Sequence, residues 1–343
     1  MPTAAAGIYR ATVPGRVNLI GEWIDFNGGL VLPMPLPVAI DLQRQANNLG
    51  QDRIISEQFE EVGDFGLEDP AAGHWSDYVR GALQYARAKG WISGGQTVSI
   101  ASSIPVGAGL SSSAATIVAT LKTAASDMKH VAPLTIALAA QAIENDYIGV
   151  PCGILDQVAV AAGEPGAALA LDTRTRQYQS HNIPDDWRFL VLHSGVSRAL
   201  SDGRYKTRRE ECMAAADNLG VDYLCDARLD DISGLDASLA RRARHVITEA
   251  DRSRQAVDAL IASDFALFGQ LMTDSHLSLQ ADMQVSVPRI DEIVRVALAL
   301  GAAGARITGA GFGGCFVALV ESKQAAQWAD AMVRRHPDVK LIA

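Results

Sequence analysis

Runs of apolar residues, some alternating with polar ones and some continuous, divide the first half of the chain into strand-like and helix-like segments. Strands are predicted at Ile8–Thr12, Val31–Leu42 and Gln96–Ser103. Helices are predicted at Ser111–Met128 and Pro133–Asn145, where apolar residues recur at three- and four-residue spacing. This mixture of strands and helices predicts one α+β unit before about residue 190.

A compact apolar strand at Arg188–His193 opens the second half of the chain, which otherwise shows long helical patterns. These patterns predict helices around Tyr205–Leu219, Leu239–Ser263 and Ile290–Leu300. Two further strands, Ala305–Ile307 and Cys315–Val320, flank a glycine-rich loop. We therefore predict two domains, residues 1–187 and residues 188–343.

Composition narrows the class of protein. The chain has 343 residues, of which 48% are hydrophobic, and a formal net charge of −9, so it can bury a large core and lacks the basic patches of a nucleic-acid-binding protein. Its four cysteines show neither metal-site nor disulfide-scaffold spacing. No apolar run is long enough to span a bilayer and no leader pattern is visible, so we expect a cytoplasmic protein without nucleic-acid or membrane partners.

Residues Pro105–Ala115 (PVGAGLSSSAA) form the first candidate site. Glycines at alternate positions let backbone N–H groups converge on an anion, and the helix predicted to follow, capped by serines, would point its positive end at a phosphate. No Gly-Lys-Ser or Gly-Lys-Thr occurs, so this is not a Walker A loop. The alternative is a Gly/Ser-rich loop that only joins a strand to a helix.

Gly309–Gly314 matches the G-x-G-x-x-G pattern of dinucleotide-binding proteins. That pattern should open a helix and be followed ~20 residues later by an acidic residue. Here a strand is predicted to follow, and that distance falls on Met332–Arg335, which contains no acid. Two alternatives remain, a second glycine loop that closes over a bound ligand and a purely structural hairpin turn.

Glu22 and Asp25 lie three residues apart beside Asn27, between two apolar runs. Carboxylates beside buried strands need hydroxyl or amide partners. A sugar supplies vicinal hydroxyls, so this cluster is a candidate sugar site. The alternative is a local turn capped by the side chains of Asp25 and Asn27.

Asp156 follows a glycine turn in an apolar stretch, and Arg16 is the one cation beside the Glu22/Asp25 cluster. An arginine near Asp156 would hold it ionised and ready to take a proton from a substrate hydroxyl. A phosphate loop together with a sugar site indicates a kinase that transfers a phosphoryl group to a small molecule. This reaction also needs a metal with oxygen ligands, for which Glu144 and a hydroxyl of the serine run are the simplest pair. The alternative for Glu144 is a solvated carboxylate on a helix surface.

At these residues the sequence resembles the galactokinase branch of the GHMP kinase family. The three motifs of that family resemble residues 15–29, Pro105–Ala115 and Thr308–Cys315, in the same order and with similar spacing. Further similarity covers residues 141–157, Tyr205–Cys212, His245–Glu249 and two segments near Ser275 and Val285. Nearly the whole chain is covered.

The resemblance implies an α+β fold of two GHMP kinase domains, with the active site in the interdomain cleft, and an ATP-dependent enzyme that phosphorylates the C1 hydroxyl of a galactose-like sugar with Mg²⁺. Its partners would be the sugar and ATP, and the protein would be a monomer or weak homodimer. Asp156 would be the catalytic base, tuned by Arg16. The residues implied to bind the sugar are Glu22, Trp23, Asp25, Gly153 and Tyr205. Those implied to bind the ATP phosphates are Gly107, Ala108, Gly109, Leu110, Ser111, Ser112 and Ser113. The implied metal ligands are Ser113 and Glu144.

One residue departs from the family pattern. Galactose-specific members usually carry Glu-His-Thr-Asp-Tyr where this chain has Glu22-Trp23-Ile24-Asp25-Phe26. The usual histidine resembles a contact to the C6 hydroxyl of the sugar, and a tryptophan cannot accept a hydrogen bond there. The substrate could therefore be L-arabinose or a C6-modified galactose, and a catalytically silent sugar sensor on the same fold is a further alternative.

Overall fold

The computed structural model describes residues 7–126, 131–197 and 203–343. These residues form two compact units, each assembled from segments that are separated in the sequence. Unit 1 contains the chain up to Arg16 and residues 35–106 and 111–163, whereas unit 2 contains residues 17–34, 107–110 and 164–343. The predicted domain boundary between residues 187 and 188 stays a prediction.

Unit 1 is built on a five-stranded sheet with the order β1-β3-β6-β4-β5. Its strands are β1 (Tyr9–Asn18), β3 (Pro33–Ala46), β4 (Asp52–Ser56), β5 (Glu61–Phe65) and β6 (Gln96–Ser102). β6 pairs antiparallel with β3 and parallel with β4, and β4 pairs antiparallel with β5. In β3 the buried Ile40 and Leu42 alternate with exposed polar residues, the pattern of a strand that faces a core on one side.

Four helices belong to unit 1, namely α1 (Asp77–Ala88), α2 (Ser112–Ala124), α3 (Pro133–Ala142) and α4 (Leu155–Ala162). A π-helical turn at Ile143–Ile148 follows α3 directly. A Cβ atom at Gly81 of α1 would lie 2.7 Å from the ring of Tyr147 and 2.8 Å from Ile143. The glycine therefore lets α1 approach the π-helical turn closely and fixes where that turn lies.

Unit 2 holds a four-stranded antiparallel sheet with the order β10-β11-β9-β12 and a three-stranded sheet with the order β2-β7-β8. Its strands are β2 (Leu30–Val31), β7 (Ala167–Asp172), β8 (Tyr178–Asn182), β9 (Trp187–His193), β10 (Gly304–Ile307), β11 (Cys315–Glu321) and β12 (Lys340–Leu341). Its helices are α5 (Arg204–Leu219), α6 (Ala237–Ala262), α7 (Phe265–Ser278), α8 (Pro288–Ala299) and α9 (Ala325–Arg335). Short 3₁₀ turns at Leu224–Asp226, Leu229–Gly234 and Ser322–Gln324 and a π-helical turn at Leu279–Met283 complete it.

The α+β class predicted from the sequence is confirmed, and most predicted elements lie within a few residues of the observed ones. The helix predicted from Ser111 begins one residue later and ends at Ala124, while residues 127 and 128 of the prediction lie outside the described residues. The prediction missed several elements, among them helices α1, α4, α7 and α9 and strands β4, β5, β7 and β8. In α7 the polar and apolar residues mix without a clear stripe. In the described residues no helix is both long and apolar enough to cross a membrane, and the cytoplasmic location stays a prediction.

Candidate active site

Asp156 lies in the first turn of α4 and contacts Arg16 of β1 within unit 1. Arg16 donates two hydrogen bonds to Oδ1 of Asp156, from Nε at 2.8 Å and from Nη2 at 2.6 Å. The Arg16 side chain is buried, with 7% exposed, whereas that of Asp156 is 36% exposed. The buried cation thus holds the carboxylate at Oδ1. Oδ2 stays accessible to a substrate hydroxyl.

Glu144 lies on the π-helical turn that follows α3, with 7% of the residue exposed. Its Oε2 accepts hydrogen bonds from Nε2 of Gln157 and from Sγ of Cys152, the latter at 3.6 Å, and the Ser113 hydroxyl is near enough to this carboxylate to oppose a rise in its pKa. Burial, reinforced by the nearby charge of Asp156, raises the pKa of Glu144 above its ordinary value. The alternative of a solvated surface carboxylate is therefore wrong.

The donor set of Ser113 and Glu144 fits a hard divalent cation. Both groups offer oxygen, and the Ser113 hydroxyl is near enough to the Glu144 carboxylate to affect its pKa. Mg²⁺ is usually held by one or two protein oxygens, with water and substrate phosphates completing its octahedron. The described residues contain no group of three or more His, Cys, Asp or Glu side chains that could hold a metal without such additional ligands. A metal at this place would thus depend on the nucleotide phosphates for most of its coordination.

The glycine–serine loop takes backbone conformations that suit an anion nest. Gly107 and Gly109 have φ of 71° and 75°, and Ser111 has φ of 61°, in the left-handed region. A serine occupies the N-cap position of α2, as predicted, but Ser111 makes no side-chain capping hydrogen bond. A capping residue normally has extended backbone angles, which Ser111 lacks. Its buried hydroxyl has no hydrogen-bond partner in the part of the chain that the structure describes.

The sugar segment, residues 17–29, lies in unit 2, and Glu22 is its most constrained side chain. Oε1 of Glu22 accepts hydrogen bonds from the hydroxyl of Thr308 at 2.9 Å and the backbone N–H of Gly309 at 2.7 Å. The guanidinium of Arg306 lies 3.5 Å from the same oxygen. Asp25, a predicted sugar ligand, lies in the turn that follows and is partly exposed.

Asn27 lies in a local turn, as predicted by the alternative to a sugar site. Its side-chain amide donates a hydrogen bond to the backbone carbonyl of Trp23 at 2.7 Å. The backbone N–H groups of Asn27 and Gly29 both donate to the carbonyl of Ile24, at 3.1 and 2.9 Å. Asn27 therefore stabilises the local turn, and the ligand role of Asp25 stays a prediction.

Trp23 and Tyr205 pack against each other in unit 2. Their ring centroids lie 5.0 Å apart with an interplanar angle of 35°, and Phe26 meets Trp23 edge-on at 6.1 Å. Trp23 is buried, with 4% exposed, and has φ of 69°, which is strained for a bulky side chain. Its indole Nε1 is buried and has no hydrogen-bond partner among the residues described. The two predicted sugar residues thus form one aromatic surface.

The glycine loop between β10 and β11 connects two antiparallel strands, in which Ile307 pairs with Phe316. A strand follows the loop, so the structure agrees with the rejection of a dinucleotide site. Added Cβ atoms would lie 2.5 Å from the carbonyl oxygen of Val285 at Gly311 and 3.1 Å from that of Ala108 at Gly314. The loop is therefore a tightly packed turn, as the hairpin alternative proposed, and a ligand role for it stays a prediction.

Several site contacts had no assigned role in the sequence. Gln157 follows Asp156 directly and lies in a segment that resembles the family, but the sequence did not indicate that its side-chain amide would donate a hydrogen bond to Glu144. Arg306 precedes the glycine loop and is completely buried, which composition alone does not indicate. The signal available for both was their position next to a recognised motif.

Family models match three parts of the chain. Residues 3–42 match a model described as the galactokinase galactose-binding signature, residues 77–164 match the N-terminal domain of GHMP kinases, and residues 256–338 match the C-terminal part of GHMP kinases. The first match contains Arg16, Glu22 and Asp25, and the second contains the glycine–serine loop with Glu144 and Asp156.

Solved structures of GHMP kinases resemble the chain along nearly its whole length. The galactokinase of Lactococcus lactis, solved in complex with galactose, is 30% identical, covers 97% of this chain and 92% of its own, and superposes with a TM-score of 0.90. The mevalonate kinase of Methanococcus jannaschii (18% identity, 99% and 98% coverage, TM-score 0.71) shares the fold. So does the phosphomevalonate kinase of Streptococcus pneumoniae, in complex with phosphomevalonate and AMPPNP (14% identity, 97% and 98% coverage, TM-score 0.71). With motifs, matched segments and this likeness in agreement, the chain belongs to the galactokinase branch of the GHMP kinase family.

Proposed function

We propose that the protein transfers the γ-phosphoryl group of ATP to the anomeric hydroxyl of galactose or a galactose-like sugar. One observation carries the proposal, the contact of the partly exposed Asp156 with the buried Arg16. The galactokinase branch supports the reaction, and the galactose complex of the Lactococcus lactis enzyme supports the sugar class.

In the proposed reaction Asp156 takes the proton of the C1 hydroxyl as that oxygen attacks the γ-phosphorus. The bond from the sugar oxygen to phosphorus forms while the bond from phosphorus to the bridging oxygen of ADP breaks. ADP leaves, and Asp156 later gives the proton to water. Arg16 orients the carboxylate, and it adds positive charge near the transferred group.

For the sugar, we assign hydroxyl contacts to Glu22, Asp25 and the backbone around Gly153, with Trp23 and Tyr205 as an apolar face. Carboxylates bind vicinal hydroxyls in two-point contacts, which fix the orientation of a ring. The ring of the partly exposed Tyr205, which packs against the buried Trp23, is suited to the C–H face of a hexose. Different residues would thus provide the polar contacts to the sugar hydroxyls and the apolar contacts to the ring.

For ATP, we assign the phosphate contacts to the backbone of Gly107, Ala108, Gly109 and Leu110 and to Ser111, Ser112 and Ser113. The left-handed residues of this loop and the unpaired hydroxyl of Ser111 support an anion site before a 13-residue helix. Ser113 and Glu144 would hold Mg²⁺, which would neutralise phosphate charge when bound.

The test is ATP consumption by the purified protein with a panel of hexoses, pentoses and uronic acids. We expect turnover with galactose-type sugars, and ³¹P and ¹H NMR of the product should place the phosphate on C1. A product phosphorylated at another carbon would overturn the assigned reaction. Sugar and ATP binding without any turnover would favour the silent-sensor alternative.

Glu144→Gln is expected to raise the Mg²⁺ concentration for half-maximal activity by about tenfold or more, because one anionic ligand is lost from a hard-cation site. The measurement is a Mg²⁺ titration of initial rates at saturating sugar. Asp52→Asn serves as the control, since Asp52 is also a buried carboxylate of unit 1 but is paired with Arg87. An unchanged titration in Glu144→Gln would remove Glu144 from the metal site.

A further inference from the structure

Glu22 is held at several atoms by residues that the proposed reaction does not use. Within unit 2 its carboxylate meets the third glycine motif, and its backbone meets helix α6. We propose that Thr308 and His245 are positioning residues of the sugar site, which fix the carboxylate and the peptide of Glu22. The inference rests on the proposed function, because it assumes that Glu22 binds a sugar hydroxyl.

The carboxylate is held asymmetrically. Thr308 and Gly309 donate to Oε1 at 2.9 and 2.7 Å, and Arg306 lies 3.5 Å from the same atom. Every contact to this carboxylate from the described residues meets Oε1, which leaves Oε2 for a sugar hydroxyl. The Thr308 hydroxyl also lies 3.1 Å from the backbone carbonyl of Asn18, the other acceptor within its reach. One rotamer of Glu22 is therefore selected before a substrate binds.

The backbone is held by two residues one helical turn apart on α6. Nε2 of His245 lies 3.1 Å from the carbonyl oxygen of Glu22, and Oε1 of Glu249 accepts the N–H of Gly21 at 2.9 Å. Both side chains are completely buried. They hold the two ends of the Gly21–Glu22 unit, so the Cα–Cβ bond of Glu22 has a fixed direction.

The chemistry of His245 makes it a donor at this position. Burial lowers the pKa of His245 to about 4, so the ring is neutral at physiological pH. A neutral ring carries one N–H, and a carbonyl can only accept, so the proton lies on Nε2. Nδ1 lies 2.9 Å from the hydroxyl of Ser278, which is also 3.2 Å from Oδ2 of Asp282. The carbonyl of Glu22 is therefore the contact that determines the tautomer.

Glu249 is suited to the second contact because it is charged and fully satisfied. Its burial alone would raise the pKa, but chiefly the charge of Arg252, together with that of Arg306 and the hydroxyl of Ser275, lowers it to about 2. Arg252 donates from Nε to Oε2 at 2.8 Å, while Oε1 takes the Gly21 N–H and the Ser275 hydroxyl at 2.7 Å. No role was assigned to the segment His245–Glu249 from the sequence. Its two buried side chains fix the backbone of the sugar segment at Gly21 and Glu22.

The test is steady-state kinetics of Thr308→Val, which keeps the shape of the side chain and removes the donor to Glu22. We expect the KM for the sugar to rise by about tenfold, as for a lost hydrogen bond to a charged group, while the KM for ATP stays within about twofold. Thr308→Ser should restore the sugar KM. The control is Thr120→Val, because Thr120 is also completely buried but donates to a carbonyl within α2.

A double-mutant cycle distinguishes positioning from general stability. In a Glu22→Ala background Thr308→Val should leave the sugar KM unchanged, because its effect passes through Glu22. As a second route, His245→Leu should raise the sugar KM more than His245→Gln, whose amide can still donate to the carbonyl of Glu22. Calorimetric sugar binding gives the same comparison without turnover, so the inference can be tested even if the proposed reaction is wrong.

Two outcomes would overturn the inference. One is an unchanged sugar KM and sugar affinity in both Thr308→Val and His245→Leu, with only the melting temperature lowered. The other is a loss of specificity for the sugar site, seen as an equal rise in the KM values for sugar and ATP or as a full effect of Thr308→Val in the Glu22→Ala background. Any of these results would mean that Thr308 and His245 only stabilise the fold of unit 2.

Discussion

Asp156→Asn is expected to lower turnover by ~10²-fold or more while sugar and ATP affinities change by only a few fold. The substitution keeps the size and shape of the side chain, and the asparagine oxygen can still accept from Arg16, whose two hydrogen bonds to Asp156 both meet Oδ1. What is lost is the proton acceptor. The measurement is kcat at saturating substrates, together with calorimetric binding of each substrate.

A matched control is available in the same unit. Asp64 of β5 forms a comparable pair with Arg53 of β4, at 2.7 Å, in which the side chains of Arg53 and Asp64 are 40% and 35% exposed. Asp64→Asn makes the same chemical change in an aspartate–arginine pair outside the proposed site, and we expect it to leave kcat unchanged. Near-native turnover in Asp156→Asn would remove Asp156 as the base, and a loss of sugar binding would instead make it a substrate ligand.

The parts of the site that the sequence predicted well are those in which a local pattern determines the chemistry. Glycines at 107 and 109 indicated a turn in which backbone N–H groups converge, and both have positive φ. Such predictions succeed because turn conformation depends on few residues. Arg16 and Asp156 are 140 residues apart, and the expectation that an arginine would lie near Asp156 agrees with their contact.

Other parts of the site depend on contacts between distant segments, which a single sequence does not specify. Glu22 and Thr308 are 286 residues apart, and nothing near either of them indicates that one carboxylate oxygen is occupied by the third motif. The burial of Glu144 was missed for the same reason, since helical spacing alone places it on a surface. The left-handed backbone at Ser111 overrode the usual preference of serine for a capping conformation.

Trp23 concerns the identity of the sugar, and its expected effect is large. Members of the branch usually carry histidine at this position, and that histidine resembles a contact to the C6 hydroxyl. In this protein the indole is buried against Tyr205 and Phe26, and tryptophan has no acceptor to offer. Discrimination at C6 should therefore be weak, whereas contacts to the C3 and C4 hydroxyls through Asp25 should persist.

A site built around a hydroxyl rejects an analogue that lacks it by roughly 10⁴-fold in good cases, because its own polar groups are then left unpaired. Without an acceptor for the C6 hydroxyl, this protein should use 6-deoxygalactose and L-arabinose at rates much closer to that for galactose. The measurement is kcat/KM for the three sugars. Trp23→His should raise the preference for galactose over both analogues by about tenfold or more.

The backbone permits this substitution, since histidine is among the residues enriched at positive φ and Trp23 has φ of 69°. Trp23→Phe separates the two properties of the indole, because it keeps an aromatic ring against Tyr205 and removes the unpaired N–H. Trp91→His, at a tryptophan packed on Tyr85 in unit 1, is the control for the chemical change itself. If the native protein prefers galactose over both analogues by about 10³-fold or more, and Trp23→His alters this little, then Trp23 does not read C6 and galactose is the simplest substrate.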